Sequence, residues 1–149
     1  YIANAVFEFT KPRAVIVNSY DVENSNFKVE AIKGFKQFIG PIVKLINSEL
    51  IGAKFALENE RYPQALTENK LIYLPDGLYA VNFGNLNRKE CMLIESMLNV
   101  NRVYNFIFSE NGKIFGSVII LYAEDKFPFA TMLEIFLHQA TIALDSDYT

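Results

Sequence analysis

The chain has 149 residues, of which 51% are apolar and 14% aromatic, enough for one domain with a substantial core and no need of disulfide or metal staples. Lys and Arg total 14 against 17 Asp and Glu, a net charge of −3, which gives no electrostatic ground for nucleic acid or an anionic membrane as a partner. The single Cys91 excludes an internal disulfide framework and suits a reducing, cytoplasmic compartment, and no apolar run reaches the ~18 residues that would span a membrane.

The elements are read in chain order. Residues 1–12 form a short helix or a linker tail, broken by Lys11-Pro12-Arg13. The chain begins at Tyr1 rather than Met and carries no signal-peptide order, so it is expected to be a piece of a larger protein. Arg13 to Tyr20 is rich in β-branched residues and predicts a strand. Asp21 to Asn26 is a polar turn, and Asn26 to Lys33 alternates apolar and polar residues as a strand with one wet face. Phe38, Ile39, Ile42, Val43, Leu45 and Ile46 have helical spacing, so a helix is expected over Lys36 to Ser48. Gly52 precedes a strand at Ala53 to Leu57, and a short helix is expected after Pro63. Leu71 to Leu74 is a short apolar run closed by Pro75-Asp76-Gly77. Arg88 to Asn99 reads as a helix with Met92, Leu93, Met97 and Leu98 as core contacts.

The last third is the most legible. Val103 to Ser109 is an apolar strand, Glu110-Asn111-Gly112-Lys113 a turn, and Ile114 to Ala123 a second strand. Asn-Gly is a strong hairpin signal because both residues accept positive φ. The second strand is apolar on both faces, with Ile114, Val118 and Ile120 expected on one and Phe115, Ile119 and Leu121 on the other. It should therefore be central and covered on both sides. A terminal helix follows from about Pro128 to Asp145. Its core stripe is expected at Phe129, Met132, Leu133, Phe136, Ala140, Ala143 and Leu144.

This order, with Gly116 inside the long strand and a Phe136-x-x-Gln139-Ala140-x-x-Ala143-Leu144 ending, resembles the C-terminal half of a GAF domain. In the middle, Leu50-Ile51-Gly52-Ala53-Lys54-Phe55 and the stretch from Ala65 to Tyr73 resemble a variety common in sensor histidine kinases. The resemblance implies an α+β fold: a GAF/PAS-like central antiparallel sheet of five to six strands with helices on both sides. It places a single sensory domain at 13–145, with 146–149 starting a C-terminal linker. It implies a regulatory segment, not an enzyme, inside a cytoplasmic signalling protein, most simply a sensor histidine kinase whose kinase or further sensory domains adjoin it. A ligand-free dimerisation or scaffold module is the alternative reading.

Candidate residues follow from chemistry and from that resemblance. Tyr79, Asn82, Phe83, Asn85 and Asn87 make an aromatic and amide-rich stretch of the kind small-molecule sites use. Tyr79, Asn82 and Phe83, with Phe38 and Ile42 from the expected helix, are the candidate lining of a pocket for an unidentified small molecule. No cofactor is specified. Haem or bilin binding would leave Cys91 as the only covalent-attachment candidate, but the bilin pattern expects a histidine after the cysteine and Met92 stands there. Asn69-Lys70 opens like a cyclic-nucleotide motif, yet Asn87-Arg88 replaces its acidic pair. The lone His138 falls opposite the expected core stripe and cannot furnish a zinc site alone. A free methionine sulfoxide reductase would need further cysteines. No phosphate loop, nucleophile elbow or zinc-protease motif occurs. Ile135 and Ile142, seven residues apart with Gln139 between them, form an apolar repeat beside the polar flank of the terminal helix. Such a repeat suits a parallel helix pair and a homodimer.

Overall fold

A computed structural model describes residues 2–34, 51–57, 66–81 and 86–148. The expected helix at Lys36 to Ser48 and the short helix after Pro63 lie outside these residues. Asn111 (φ 51) and Gly112 (φ 77) both take the left-handed conformation that a two-residue hairpin demands. They join β5 (Arg102–Glu110) to β6 (Lys113–Tyr122), with Glu110 opposite Lys113. The other edge of β6 pairs with β1 (Ala14–Asp21), which pairs with β2 (Asn26–Lys33), which in turn carries β3 (Lys54–Phe55). The short β4 (Ile72–Leu74) completes the far side on β5. The result is a six-stranded antiparallel sheet in the order β3-β2-β1-β6-β5-β4, with β6 central as its two apolar faces require.

Helices lie on both sides. On one face, Ile16, Phe27, Val29, Ile107, Ile119 and Leu121 pack with Cys91, Ile94 and Leu98 of α2 (Arg88–Leu98) and with Leu78 and Val81 of a 3-10 turn (Gly77–Val81). On the other, Val15, Tyr104, Phe106, Val118 and Ile120 pack with Ala3 and Val6 of α1 (Ile2–Thr10) and with Leu133 and Leu137 of α3 (Ala130–Tyr148). Local chemistry sets the ends of these elements. The Asp21 carboxylate accepts from the backbone of Glu23 at 3.0 Å and Asn24 at 3.4 Å and so fixes the β1–β2 turn. Asn87 and Glu90 form a capping box at the start of α2, and Asn99 closes it at φ 56.

Three expectations are corrected. Ile114 packs with Ile119 and Leu121, and Phe115 with Val118 and Ile120, the reverse of strict alternation. The cause is a bulge between Phe108 and Ser109: Phe108 faces Gly116 while Ser109 faces Ile114, so Phe115 is the extra residue and the faces exchange there. On α2 the buried stripe is Cys91, Ile94 and Leu98, whereas Met92 and Leu93 are exposed and Met97 half-buried.

The third correction concerns the buried face of α3, which runs Ala130–Tyr148, close to the expected start. Its buried line is Leu133, Leu137 and Thr141, rotated from the stripe read in the sequence. Met132 and Ala143 are exposed, and Phe129, Phe136, Ala140 and Leu144 are half-buried. The reason is that α1 lies against both the sheet and α3, so α3 divides its apolar residues between two neighbours. Thr141 is tolerated inside because its hydroxyl donates to the Leu137 carbonyl at 2.9 Å. Leu137→Ala is expected to cost about 2–5 kcal/mol of unfolding free energy in urea, and Met132→Ala less than about 0.5 kcal/mol; equal losses would reject this orientation of α3.

Candidate functional site

The α2 side of the sheet is built around the turn that follows β4. Pro75-Asp76-Gly77 turns the chain, and Gly77 takes φ +64, where a Cβ would collide with the Glu95 carboxylate. That close approach lets the Leu78 N–H donate to Glu95 Oε2 at 3.1 Å. The 3-10 turn buries Leu78, Ala80 and Val81 and leaves Tyr79 half-buried. The Arg88 guanidinium lies over the Tyr79 ring, 4.5 Å from its centre, and pairs with Asp76 at 3.4 Å. Both partners of that ion pair are well exposed, so its contribution is small. Asp76, Gly77, Arg88, Met92, Glu95 and Asn101 border an open, mainly polar hollow of about 290 Å³.

Burial raises the pKa of Glu95, partly offset by the bond from Leu78. The native carboxyl therefore holds its proton to a higher pH than the unfolded one, and stability falls as pH rises through that window. Glu95→Gln keeps an acceptor for Leu78 and removes the charge. It is expected to raise the melting temperature at pH 7, with the gain shrinking as pH drops below the ordinary carboxylate range near 4.5. A gain that persists unchanged at acid pH would show that desolvation of the charge is not its source.

Of the residues read as pocket lining, Tyr79 lies on this side of the sheet, while Phe38, Ile42, Asn82 and Phe83 fall outside the described residues. Cys91, the attachment candidate, is 1% exposed within the α2-side core, out of reach of a solvent-borne group in this packing. His138 is exposed as expected, but its ring meets the buried Phe106 edge-on at 5.7 Å. Two buried polar residues in the middle of the sheet, Asn18 and Ser117, were not singled out in the sequence. The signal for them was a polar residue at the end of each of two β-branched runs, Val15-Ile16-Val17-Asn18 and Ser117-Val118-Ile119-Ile120. Among the described residues no group of His, Cys, Asp or Glu is placed to hold a metal ion. None of the described helices is long and apolar enough to cross a membrane.

The opposite side presents α3. Ile135 and Ile142 are 56% and 62% exposed. Ala5, Met132, Ile135, Phe136 and Gln139 border an apolar groove of about 490 Å³. Ala3, Val17, Ala31, Ala140 and Leu144 border another of about 400 Å³. The Leu71 N–H donates to Glu134 Oε2 at 3.0 Å, which ties α3 to the residue preceding β4.

No protein-family model and no curated protein matches the sequence. Solved structures do. The GAF domain of a two-component sensor histidine kinase from Bacillus halodurans superposes with a TM-score of 0.64 at 14% identity, over 99% of this chain and 93% of that one. The chain has the GAF fold. The second GAF domain of DevS from Mycobacterium smegmatis gives 0.61 at 13% identity, over 99% of this chain and 91% of that one. A GAF domain/HD domain protein from Geobacter sulfurreducens gives 0.61 at 15% identity, over 97% of this chain and 87% of that one. The resemblance read from Gly116 and the Phe136 to Leu144 ending is therefore correct as to fold. Within the GAF fold, the α2 side and the α1/α3 side are the two surfaces open to a role.

Proposed function

We propose that this chain is the sensory or regulatory GAF module of a cytoplasmic signal-transduction protein, in the simplest case a sensor histidine kinase. A small molecule binds on the α2 side of the sheet, and α3 relays its presence to adjoining kinase or sensory domains. The observation that carries the reading is the two-sided build of the sheet. One face carries the buried polar Asn18 and Ser117 and, elsewhere on it, the 3-10 turn, and the other bears a helix with exposed Met132, Ile135 and Ile142. The bond from Leu71 to Glu134 gives a physical route between them, because it joins α3 to the segment that leads into β4 and the turn. A ligand acts by favouring one of two packings of these parts. Tyr79, with Phe38, Ile42, Asn82 and Phe83, is the proposed lining.

The exposed isoleucines favour a second statement, that the module pairs with a copy of itself along α3 through Ile135, Gln139 and Ile142. If no ligand exists, this pairing alone would make the chain a scaffold. Native mass spectrometry of the purified domain, with an absorbance scan for a chromophore, tests the ligand. The expected result is a bound small molecule released on denaturation, and an empty, colourless protein that binds nothing from a metabolite panel would support the scaffold reading. Sedimentation tests the pairing. Wild type is expected as a dimer and Ile135→Glu/Ile142→Glu as a folded monomer; a wild type that stays monomeric at high concentration rejects this seam.

A further inference from the structure

Asn18 of β1 and Ser117 of β6 are register partners in the middle of the sheet. They are 3% and 1% exposed. The pairs next to them, Val17 with Val118 and Ile16 with Ile119, fix which way they point. Val17 and Val118 belong to the α3-side core and Ile16 and Ile119 to the α2-side core, so alternation puts Asn18 and Ser117 on the α2 side. Asn18 Nδ2 donates to Ser117 Oγ at 2.9 Å. That leaves Asn18 Oδ1 buried without a hydrogen-bond partner. The Ser117 oxygen accepts the bond, and its own proton has no acceptor among the described residues. Stranding a buried carbonyl oxygen is unfavourable by about 1–3 kcal/mol, and native proteins rarely do it. The nearest side chains on this face include the aliphatic Ile16, Val29, Ile107 and Ile119, with the buried Asn105 and Ser109 on the same face of β5.

We propose that Asn18 and Ser117 are ligand-binding residues, and that they read a neutral amide or lactam edge. This rests on the reading of the α2 side as a small-molecule site and adds its chemistry. The free Asn18 Oδ1 accepts from an N–H, and the Ser117 hydroxyl donates to the adjacent C=O. A ligand carrying H–N–C=O satisfies both at once. An ionised group is disfavoured at this point, because Ile16, Val29, Ile107, Ile119, Asn105 and Ser109 carry no charge to offset its lost hydration. This couple selects the donor–acceptor order.

N-methylation tests the order, since it deletes the donor and keeps the ring. The full chain is titrated with 2-pyridone and hypoxanthine, and with N-methyl-2-pyridone and 1-methylhypoxanthine, by ¹⁵N–¹H NMR. The Asn18 side-chain amide is the reporter, assigned by its loss in Asn18→Leu. At least one lactam is expected to bind and to move that signal, with its N-methyl form weaker by about tenfold or more. In Asn18→Leu/Ser117→Ala the preference should vanish. The double variant should melt no lower than wild type, because both partners of the buried bond are replaced together. Equal binding of lactam and N-methyl forms would overturn the proposal and leave the pocket reading standing. Binding of none of the four compounds would also overturn it, assigning the pair to a structural water only, and the co-purified mass spectrum would then judge the pocket separately. A double variant that melts lower yet keeps its lactam preference would mark the pair as a structural contact. The wild-type arm decides the matter even if the variants fail to fold.

Discussion

The sheet depends on how closely β1 approaches β6 at Gly116. A Cβ at Gly116 would run into the Asn18 carbonyl oxygen, so only glycine lets the two strands pair through this point. The pairing is also long-range. Asn18 and Ser117 are 99 positions apart, so closing the sheet carries the entropy of a long loop before any core forms. Once β1 is seated, β6 has a neighbour on each edge, β2 and β3 extend one wing, and β4 extends the other. Both hydrophobic layers are then anchored on the same strand.

Those layers differ in chemistry. The α3 side is aromatic: Tyr104 and Phe127 stand 4.7 Å apart, Tyr122 and Phe127 4.8 Å, and Phe106 and Phe108 5.3 Å. Rings have few rotamers and broad contact surfaces, so this layer packs stiffly. The α2 side is more aliphatic and also contains buried amides and hydroxyls, a mixture that can hold a polar molecule out of water. A stiff layer under the exposed helix and a polar-studded layer on the other face are the two parts the proposed function draws on.

What the sequence revealed follows from how local each feature is. The Asn111-Gly112 hairpin, the β-branched strand from Ala14 and the double-sided apolar run of β6 are decided within a few residues, and all are legible. The bulge at Phe115 is not, since it depends on where Phe108 meets Gly116 across the ladder. The rotation of α3 escaped for a related reason: a helical wheel finds one face, and this helix serves both the sheet and α1. The exposed Met92 and Leu93 misled the reading of α2, where Cys91 and Ile94 face inward. Tyr79 stands out in the sequence by its aromatic and amide company. The Asn18–Ser117 couple does not, because each residue alone is an ordinary polar break in a strand and only the pairing gives it meaning.

The edges of the sheet have a consequence for how copies of the chain meet. The outermost strands are stubs: β3 has two residues, one of them the exposed Lys54, and β4 has three. A stub offers an incoming strand few unpaired N–H and C=O groups, and a lysine at the rim adds the cost of desolvating its charge. Copies held close together thus have little template for edge-to-edge growth. Edge-to-edge growth is therefore disfavoured even where copies are crowded.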